Sequence, residues 1–228
     1  MESRSIGWNY YSRHYRFLSF LRFFFLIKID VLIGTSGSAL NQLNSPYGII
    51  HDPVQNGIFV ADRGNDRIMY YRIGATNGTI VAGGNGQGVN NTQLYSPAGI
   101  YRDELSNSLI IANRDANNVV KWILGTSSWI LIAGNLNGVV GNTANSFQTP
   151  TDVILDPMGN VYIVDYGNAR VQFFVAGESA GKTIAGMTSV FGSNAFLLNY
   201  PGSIVLDNQL NLYVSDYRNH RVQKFMRY

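Results

Sequence analysis

Short apolar runs follow one another along most of this chain, and clusters of Gly, Pro, Asn and Asp separate them. A typical run is residues 160–164 (NVYIV), in which β-branched and aromatic residues follow a single Asn. Such runs bounded by turn residues favour β-strands. No stretch of a dozen residues shows convincing helical periodicity. The pattern therefore predicts an all-β protein made of short strands and tight turns.

A motif of mixed polar and apolar residues recurs four times. It is complete at residues 61–68 (ADRGNDRI), 164–171 (VDYGNARV) and 215–222 (SDYRNHRV), and altered at residues 112–119 (ANRDANNV). Its second position is Asp62, Asn113, Asp165 and Asp216, at spacings of 51, 52 and 51 residues. A fixed period of this length is typical of propellers and solenoids.

Each copy of the motif has the same surroundings. A proline turn precedes it, at Pro46, Pro97, Pro150 and Pro201, and a further apolar run closes the first three units. Each complete unit then holds four short strands, which predicts a β-propeller with four clear four-stranded blades over residues 29–228. For the last unit two arrangements are open. Residues 29–34 (IDVLIG) supply its fourth strand and close a four-bladed ring, or the array is an incomplete part of a larger propeller with exposed edges.

The ordered pattern Pro-x-Gly-Ile, Asp, Gly-Asn-x-Tyr-Val-x-Asp and Asn-x-Arg-Val-Gln resembles the NHL repeat family, including its TRIM-NHL type of propeller. The resemblance covers roughly residues 43–228 and implies a scaffold that binds a protein or peptide through one face. It also implies a place as the substrate-recognition part of a ubiquitin-ligase system. The chain has no Cys and therefore carries no RING or B-box zinc module of its own.

Charge weighs against a nucleic-acid partner. Residues 1–30 contain five basic and two acidic side chains, which accounts for the whole net charge of +3 and leaves 12 of each sign in the rest. Some NHL propellers bind RNA on a basic face, so a neutral array makes RNA the less favoured partner.

The N-terminal segment, residues 1–28, has two interpretations. Residues 17–27 are strongly apolar and follow Arg13 and Arg16, as in a targeting or membrane-anchor segment. Residues 11–17 also align with residues 216–222, which favours a degenerate blade. The compartment stays open between a cytoplasmic location and a secretory or membrane-anchored one.

Three repeated pairs invite a comparison with an active site: Asp62 with Arg67, Asp165 with Arg170, and Asp216 with Arg221. In the altered copy Asn113 and Asn118 take these places. A catalytic site needs an asymmetric cluster, whereas a scaffold needs the same bond in every blade, so we expect structural ion pairs.

Catalytic and metal-binding residues are expected to be absent. Some NHL-like propellers are lyases that hold zinc through several histidines, but this chain has three scattered ones, His14, His51 and His220. The sequence therefore predicts no catalytic residue, no cofactor, no metal and no enzymatic activity.

The segments that connect successive units are the expected binding surface. They cover residues 84–96, 135–149 and 187–200, are rich in Gly, Asn and Ser, and in a propeller gather on one face. Two N-glycosylation sequons begin at Asn77 and Asn90, in predicted turns.

Overall fold

The computed structural model describes residues 35–227, which fold into four antiparallel sheets. Blade 1 consists of β1 (Ile49–Asp52), β2 (Gly57–Asp62), β3 (Arg67–Arg72) and β4 (Thr79–Gly83). Blade 2 consists of β5 (Pro97–Asp103), β6 (Ser108–Asn113), β7 (Asn118–Ile123) and β8 (Trp129–Gly134). Blade 3 consists of β9 (Pro150–Leu155), β10 (Val161–Asp165), β11 (Arg170–Phe174) and β12 (Lys182–Gly186), and blade 4 of β13 (Pro201–Leu206), β14 (Leu212–Asp216) and β15 (Arg221–Phe225).

Within each sheet the strands pair in chain order, as a meander. The inner strands of successive blades lie side by side, with β5 against β1 and β9, and β9 against β13. This is the β-propeller arrangement, so the predicted all-β fold with a blade for each repeat is confirmed. The N-terminal segment 1–28 and the strand candidate 29–34 lie outside the described residues.

The hydrophobic core lies between the blades. We call the face that a blade turns towards the next blade its trailing face, and the opposite one its leading face. The trailing face of blade 1, with Ile68, packs on the leading face of blade 2, with Ile100. The same contact joins Val119 of blade 2 to Val153 of blade 3, and residues around Val171 of blade 3 to blade 4. Apolar alternation along each strand thus places one face on each neighbour.

One side of the propeller carries most of the irregular structure. In every blade a short 3-10 turn joins the second and third strands, at Arg63–Asn65, Arg114–Ala116, Tyr166–Asn168 and Tyr217–Asn219. Because the strands alternate in direction, the connectors between blades leave from the same side as these turns. We call this side the loop face.

The ends of the fourth strands are tightly packed. Gly186 has a φ of 76°, and a Cβ there would lie 2.2 Å from the carbonyl oxygen of Ala169. Only glycine fits a left-handed position with so close a backbone approach. Within residues 35–227, no helix has the length and apolar content needed to cross a membrane.

Candidate functional site

The repeated Asp and Arg residues meet in three of the four blades. Arg67 Nε donates to Asp62 Oδ2 at 2.7 Å, and the equivalent bonds of Arg170 to Asp165 and of Arg221 to Asp216 measure 2.8 Å. In each pair the strand register places the two residues directly opposite one another.

Each of these pairs holds a connector in place. Arg170 Nη2 donates to the carbonyl oxygens of Thr143 and Ser146 at 2.8 and 2.9 Å, while Asp165 Oδ1 accepts the Gln148 N–H at 2.8 Å. Asn168 supplies a further donor to Asp165 at 2.8 Å. Because the fold itself uses these groups, the pairs offer little to a ligand.

In blade 2 a different residue holds the preceding connector, residues 84–96. Asn113 Oδ1 still accepts the Tyr95 N–H at 2.6 Å, but Asn118 Nδ2 donates to the carbonyl oxygen of Asn135, in the following connector, at 3.2 Å. Trp129 Nε1 instead donates to the carbonyl oxygen of Gln93 at 2.8 Å. In blade 1 the equivalent carbonyl, that of Gln42, accepts from the arginine guanidinium at 3.0 Å. Sequence reasoning missed this role, although the signal was a Trp where the neighbouring blades have Gly.

The remaining singled-out residues lie at the ends of elements. Pro97, Pro150 and Pro201 begin the inner strands of their blades, and Pro46 lies three residues before β1. Asn77 is exposed in the turn between β3 and β4, and Asn90 is exposed in the connector 84–96 on the loop face.

The repeat breaks down at one position of the loop face. The residue that opens each 3-10 turn is Arg63 in blade 1, Arg114 in blade 2, Tyr166 in blade 3 and Tyr217 in blade 4. This position follows the buried Asp or Asn, so the scaffold fixes its backbone while its side chain varies. Sequence reasoning overlooked it, and the available signal was variation inside an otherwise repeated motif.

Side chains of three blades converge around Tyr47, which is 51% exposed just before β1. Burial raises the pKa of the Tyr47 hydroxyl, and Asp152 raises it further. Arg114 and Arg63 act in the opposite direction, and Tyr166 adds to the rise. Each of these four groups is therefore near enough to Tyr47 to act on the charge of its hydroxyl. We call Tyr47, Arg63, Arg114, Asp152 and Tyr166 the mouth cluster.

Asp152 is the carboxylate of the mouth cluster and has no counterpart in the other blades, where Gly48, Gly99 and Ser203 stand. Its Oδ2 accepts from Ser203 Oγ at 2.6 Å and from the Ile204 N–H at 3.0 Å. A Cβ on Gly99 would lie 2.5 Å from Asp152 Oδ1, so glycine makes room for it. Within residues 35–227 no cationic side chain forms an ion pair with Asp152.

The charge of Asp152 should make stability depend on pH. Burial raises the pKa of its carboxyl, against the hydrogen bonds from Ser203, Ile204 and Val153, which lower it. A pKa raised by folding means that the ionised form costs stability above the folded pKa, and that the cost disappears as pH falls below the unfolded pKa. We therefore expect the melting temperature of Asp152→Asn, relative to wild type, to rise as pH increases from about 4 to about 7.

The measurement is a series of thermal melts by circular dichroism across that pH range. Glu178→Gln is the control, because it removes one negative charge from the exposed turn between β11 and β12. A relative melting temperature of Asp152→Asn that stays constant with pH would contradict the expectation.

An aromatic group extends the mouth cluster towards blade 4. The Tyr200 ring lies 4.8 Å from the rings of both Tyr166 and Phe191, measured between centroids. The Arg218 guanidinium lies 4.5 Å from the same ring. The positions equivalent to Tyr200 are Ser45, Ser96 and Thr149. The loop face is therefore asymmetric, as a binding or catalytic surface must be.

The opposite side of the propeller carries clefts that recur. One of about 490 Å³ lies between blades 3 and 4, lined in part by Asp156, Tyr162 and Phe225, and a similar one lies between blades 2 and 3. Their recurrence marks them as features of the scaffold. In the part of the chain that the structure describes, no three His, Cys, Asp or Glu residues form a group that could hold a metal ion.

Comparison with known sequences gives a family and a relative. The family model described as NHL repeat matches residues 147–174 and 198–225, in blades 3 and 4. The mouse protein called NHL repeat-containing protein 3 is 30% identical over 135 residues, which make up 57% of this chain and 37% of the relative. The chain thus matches well under half of that relative's length.

Solved structures share the fold at low identity. A protein of unknown function from Bacteroides thetaiotaomicron superposes with a TM-score of 0.65 at 17% identity, over 80% of this chain and 48% of the other. A gluconolactonase from Xanthomonas campestris gives 0.60 at 13%, over 80% and 58%. A streptogramin B lyase gives 0.54 at 11%, over 79% and 51%.

The prediction that the chain is not an enzyme is wrong. Propellers with this fold include a lactonase and a lyase, so the fold is compatible with catalysis. The prediction relied on the recurrence of the Asp and Arg pairs and on the three scattered histidines, and neither observation bears on catalysis by other residues. Residues at positions that vary between the repeats, such as those of the mouth cluster, carry whatever chemistry distinguishes one propeller from another.

Proposed function

We propose, on the premise that this chain is an NHL-repeat β-propeller, that its loop face binds an extended protein segment at the mouth cluster. The observation that carries this proposal is that Arg63, Arg114 and Tyr166 each open a 3-10 turn on the loop face, and that all three act on the charge of Tyr47. Arginine and tyrosine are the residues that most often anchor protein partners, since both combine a flat apolar surface with hydrogen-bond donors.

The charges around the mouth favour an acidic side chain on the bound segment. Arg114 Nη1 is already paired with Asp115 at 2.7 Å. Arg63 forms no ion pair within residues 35–227, so its guanidinium is free to take a carboxylate of the ligand. A charge-assisted bond of this kind is shorter and stronger than one between neutral groups.

A protein segment suits this surface better than RNA does. Asp66, Asp115 and Asp152 stand on the loop face near the arginines and would repel a continuous phosphate backbone. A peptide can place a single carboxylate against Arg63 and keep its other groups away from these acids. The neutral charge of the repeat array supports the same preference.

A role as the recognition part of a ubiquitin-ligase system, implied by the family resemblance, is a further prediction that depends on this binding. Residues 1–228 contain no Cys, so the zinc modules of such a system would lie outside them. Binding of a peptide must come first, and it can be measured alone.

The test is the binding of a short fluorescein-labelled peptide of alternating Glu and Ala, followed by fluorescence anisotropy at low salt. We expect Arg63→Ala with Arg114→Ala to weaken binding about tenfold or more, because charge-assisted hydrogen bonds contribute about 1.5–3 kcal/mol each. The matched control is Arg72→Ala with Lys182→Ala, which removes two positive charges from the opposite side of the propeller.

Two results would contradict the proposal. One is equal binding of the peptide in which Lys replaces Glu. The other is an equal loss of binding in the control variant, which would indicate general charge attraction. If Arg63→Ala with Arg114→Ala weakens binding of an oligouridine but not of the peptide, the mouth cluster is an RNA site instead.

A further inference from the structure

The trailing face of blade 4 differs from the three others in what covers it. The residue after the repeated Arg or Asn is Ile68, Val119 and Val171 in blades 1 to 3, and each of these side chains is fully buried, at 0% exposure. The equivalent residue in blade 4 is Val222, which is 69% exposed. Val205 on the inner strand β13 is 58% exposed. An apolar surface that the fold buries three times is therefore open the fourth time.

The leading face of blade 1 likewise has no blade packed against it among the described residues. The third residue after the repeated proline is Ile100, Val153 and Ile204 in blades 2 to 4, with exposures of 7%, 0% and 6%. The equivalent residue in blade 1 is Ile49, which is 66% exposed. Within the described part of the chain, blades 1 and 4 thus do not bury these faces against each other.

We propose that two copies of this chain associate head to tail, with the trailing face of blade 4 in one copy packed on the leading face of blade 1 in the other. Each interface inside the chain already joins these two kinds of face, so the contact between copies continues an established interface. Twofold symmetry repeats the contact at the other ends of the two arrays and leaves no end open.

The charged residue on the open face is compatible with burial. Lys224 lies 3.9 Å from Asp207, and the equivalent Lys121 lies 3.5 Å from Asp103 at the filled interface between blades 2 and 3.

The edge of blade 4 gives the same prediction. In blades 1 to 3 a fourth strand pairs with the third, whereas β15 has no further strand beside it among the described residues. An open edge with an apolar face beside it favours association with another chain.

Light scattering coupled to size exclusion tests the proposal with the full chain. We expect a mass of about twice 25.3 kDa, and a shift to the monomer mass in Val222→Asp and in Ile49→Asp. Both residues are exposed in the single chain, so neither substitution should prevent folding, which circular dichroism can verify. Val54→Asp, at a residue 69% exposed in the turn between β1 and β2, is the matched control and should leave the dimer intact.

Mixing the two monomeric variants distinguishes head-to-tail association from other arrangements. The variant Val222→Asp retains an intact blade 1 face, and Ile49→Asp retains an intact blade 4 face. The mixture therefore contains one unaltered interface per pair, and we expect heterodimers to appear where neither variant dimerises alone.

Three outcomes would overturn the proposal. A wild-type chain that stays monomeric at high concentration would exclude the dimer, and protection of β15 amides from hydrogen exchange in that monomer would point to residues 29–34 pairing within the chain. A mass that rises continuously with concentration would exclude the closed pair. A mixture of variants that remains monomeric would exclude the head-to-tail contact.

Discussion

Replacing Arg170 by Ala is expected to destabilise the chain by about 3–5 kcal/mol, because it leaves the buried Asp165 carboxylate without its ionic partner. The two charges meet at 2.8 Å, and their side chains are 3% and 0% exposed. The substitution also removes the donors that hold the connector 135–149 through three of its carbonyl oxygens, those of Asn142, Thr143 and Ser146. Equilibrium unfolding in guanidinium chloride, followed by circular dichroism, measures the loss.

Arg221→Ala is the matched control, since it breaks the same cluster in blade 4. The side chain of Arg221 is 30% exposed, so water can replace part of what it provides to Asp216. We expect a smaller loss there, on the order of 1–2 kcal/mol. Equal losses in the two variants would show that burial does not determine the cost, and a neutral Arg170→Ala would show that the pair does not support the connector.

The Asp residues that hold the connectors also fix the backbone of the mouth-cluster arginines. The same Asp that accepts the arginine also precedes the 3-10 turn, so Asp62 fixes the backbone from which Arg63 projects. In blade 2 Asn113 stands in the same position before Arg114. A guanidinium presented by a rigid backbone loses less conformational freedom when it binds a ligand. The structural bonds thus preorganise the mouth cluster without taking part in it.

The repeated features were the ones that sequence could predict. Strand positions, turn positions and the register that pairs Asp165 with Arg170 all depend on local residue types, and each is present in several copies. A mistaken assignment in one blade would have disagreed with the others. Repetition therefore acted as an internal check on the fold.

The mouth cluster could not be predicted in the same way. Tyr47, Arg114 and Asp152 come from three blades and occupy different positions of the repeat, so no spacing in the sequence joins them. Their proximity depends on the curvature of the whole propeller. The faces of blades 1 and 4 were likewise beyond sequence reasoning, because Val222 and Val171 look equivalent until their exposures are compared.

Blade 2 allows a test of whether Trp129 replaces the Asp and Arg pair that is repeated in the other blades. Trp129→Gly should cost about 3–5 kcal/mol, as is usual when a large buried aromatic side chain is removed. It also leaves the Gln93 carbonyl without the indole donor that now lies 2.8 Å away. Gly is the residue found here in blades 1 and 3, as Gly78 and Gly181, and in both of them the repeated Arg is present.

The effect of restoring the Asp and Arg in blade 2 should therefore depend on whether Trp129 is present. Asn113→Asp with Asn118→Arg is expected to destabilise the wild type by about 1–3 kcal/mol, because Trp129 already occupies the space that the guanidinium needs. In the Trp129→Gly background the same pair should recover stability, since the guanidinium can then reach the connector carbonyls. Coupling energies of this kind are measured by a double-mutant cycle from guanidinium unfolding curves.

Trp122→Gly is the control for this cycle. Trp122 is also buried and is the cross-strand partner of Trp129, but its indole donates to the Thr126 carbonyl at 3.1 Å and not to the connector 84–96. Its loss should cost a similar amount, and the Asn113 and Asn118 substitutions should not recover it. Recovery in both backgrounds would mean that the pair stabilises blade 2 independently of Trp129. Recovery in the Trp129 background alone would show that one indole replaces what an ion pair does in the other blades.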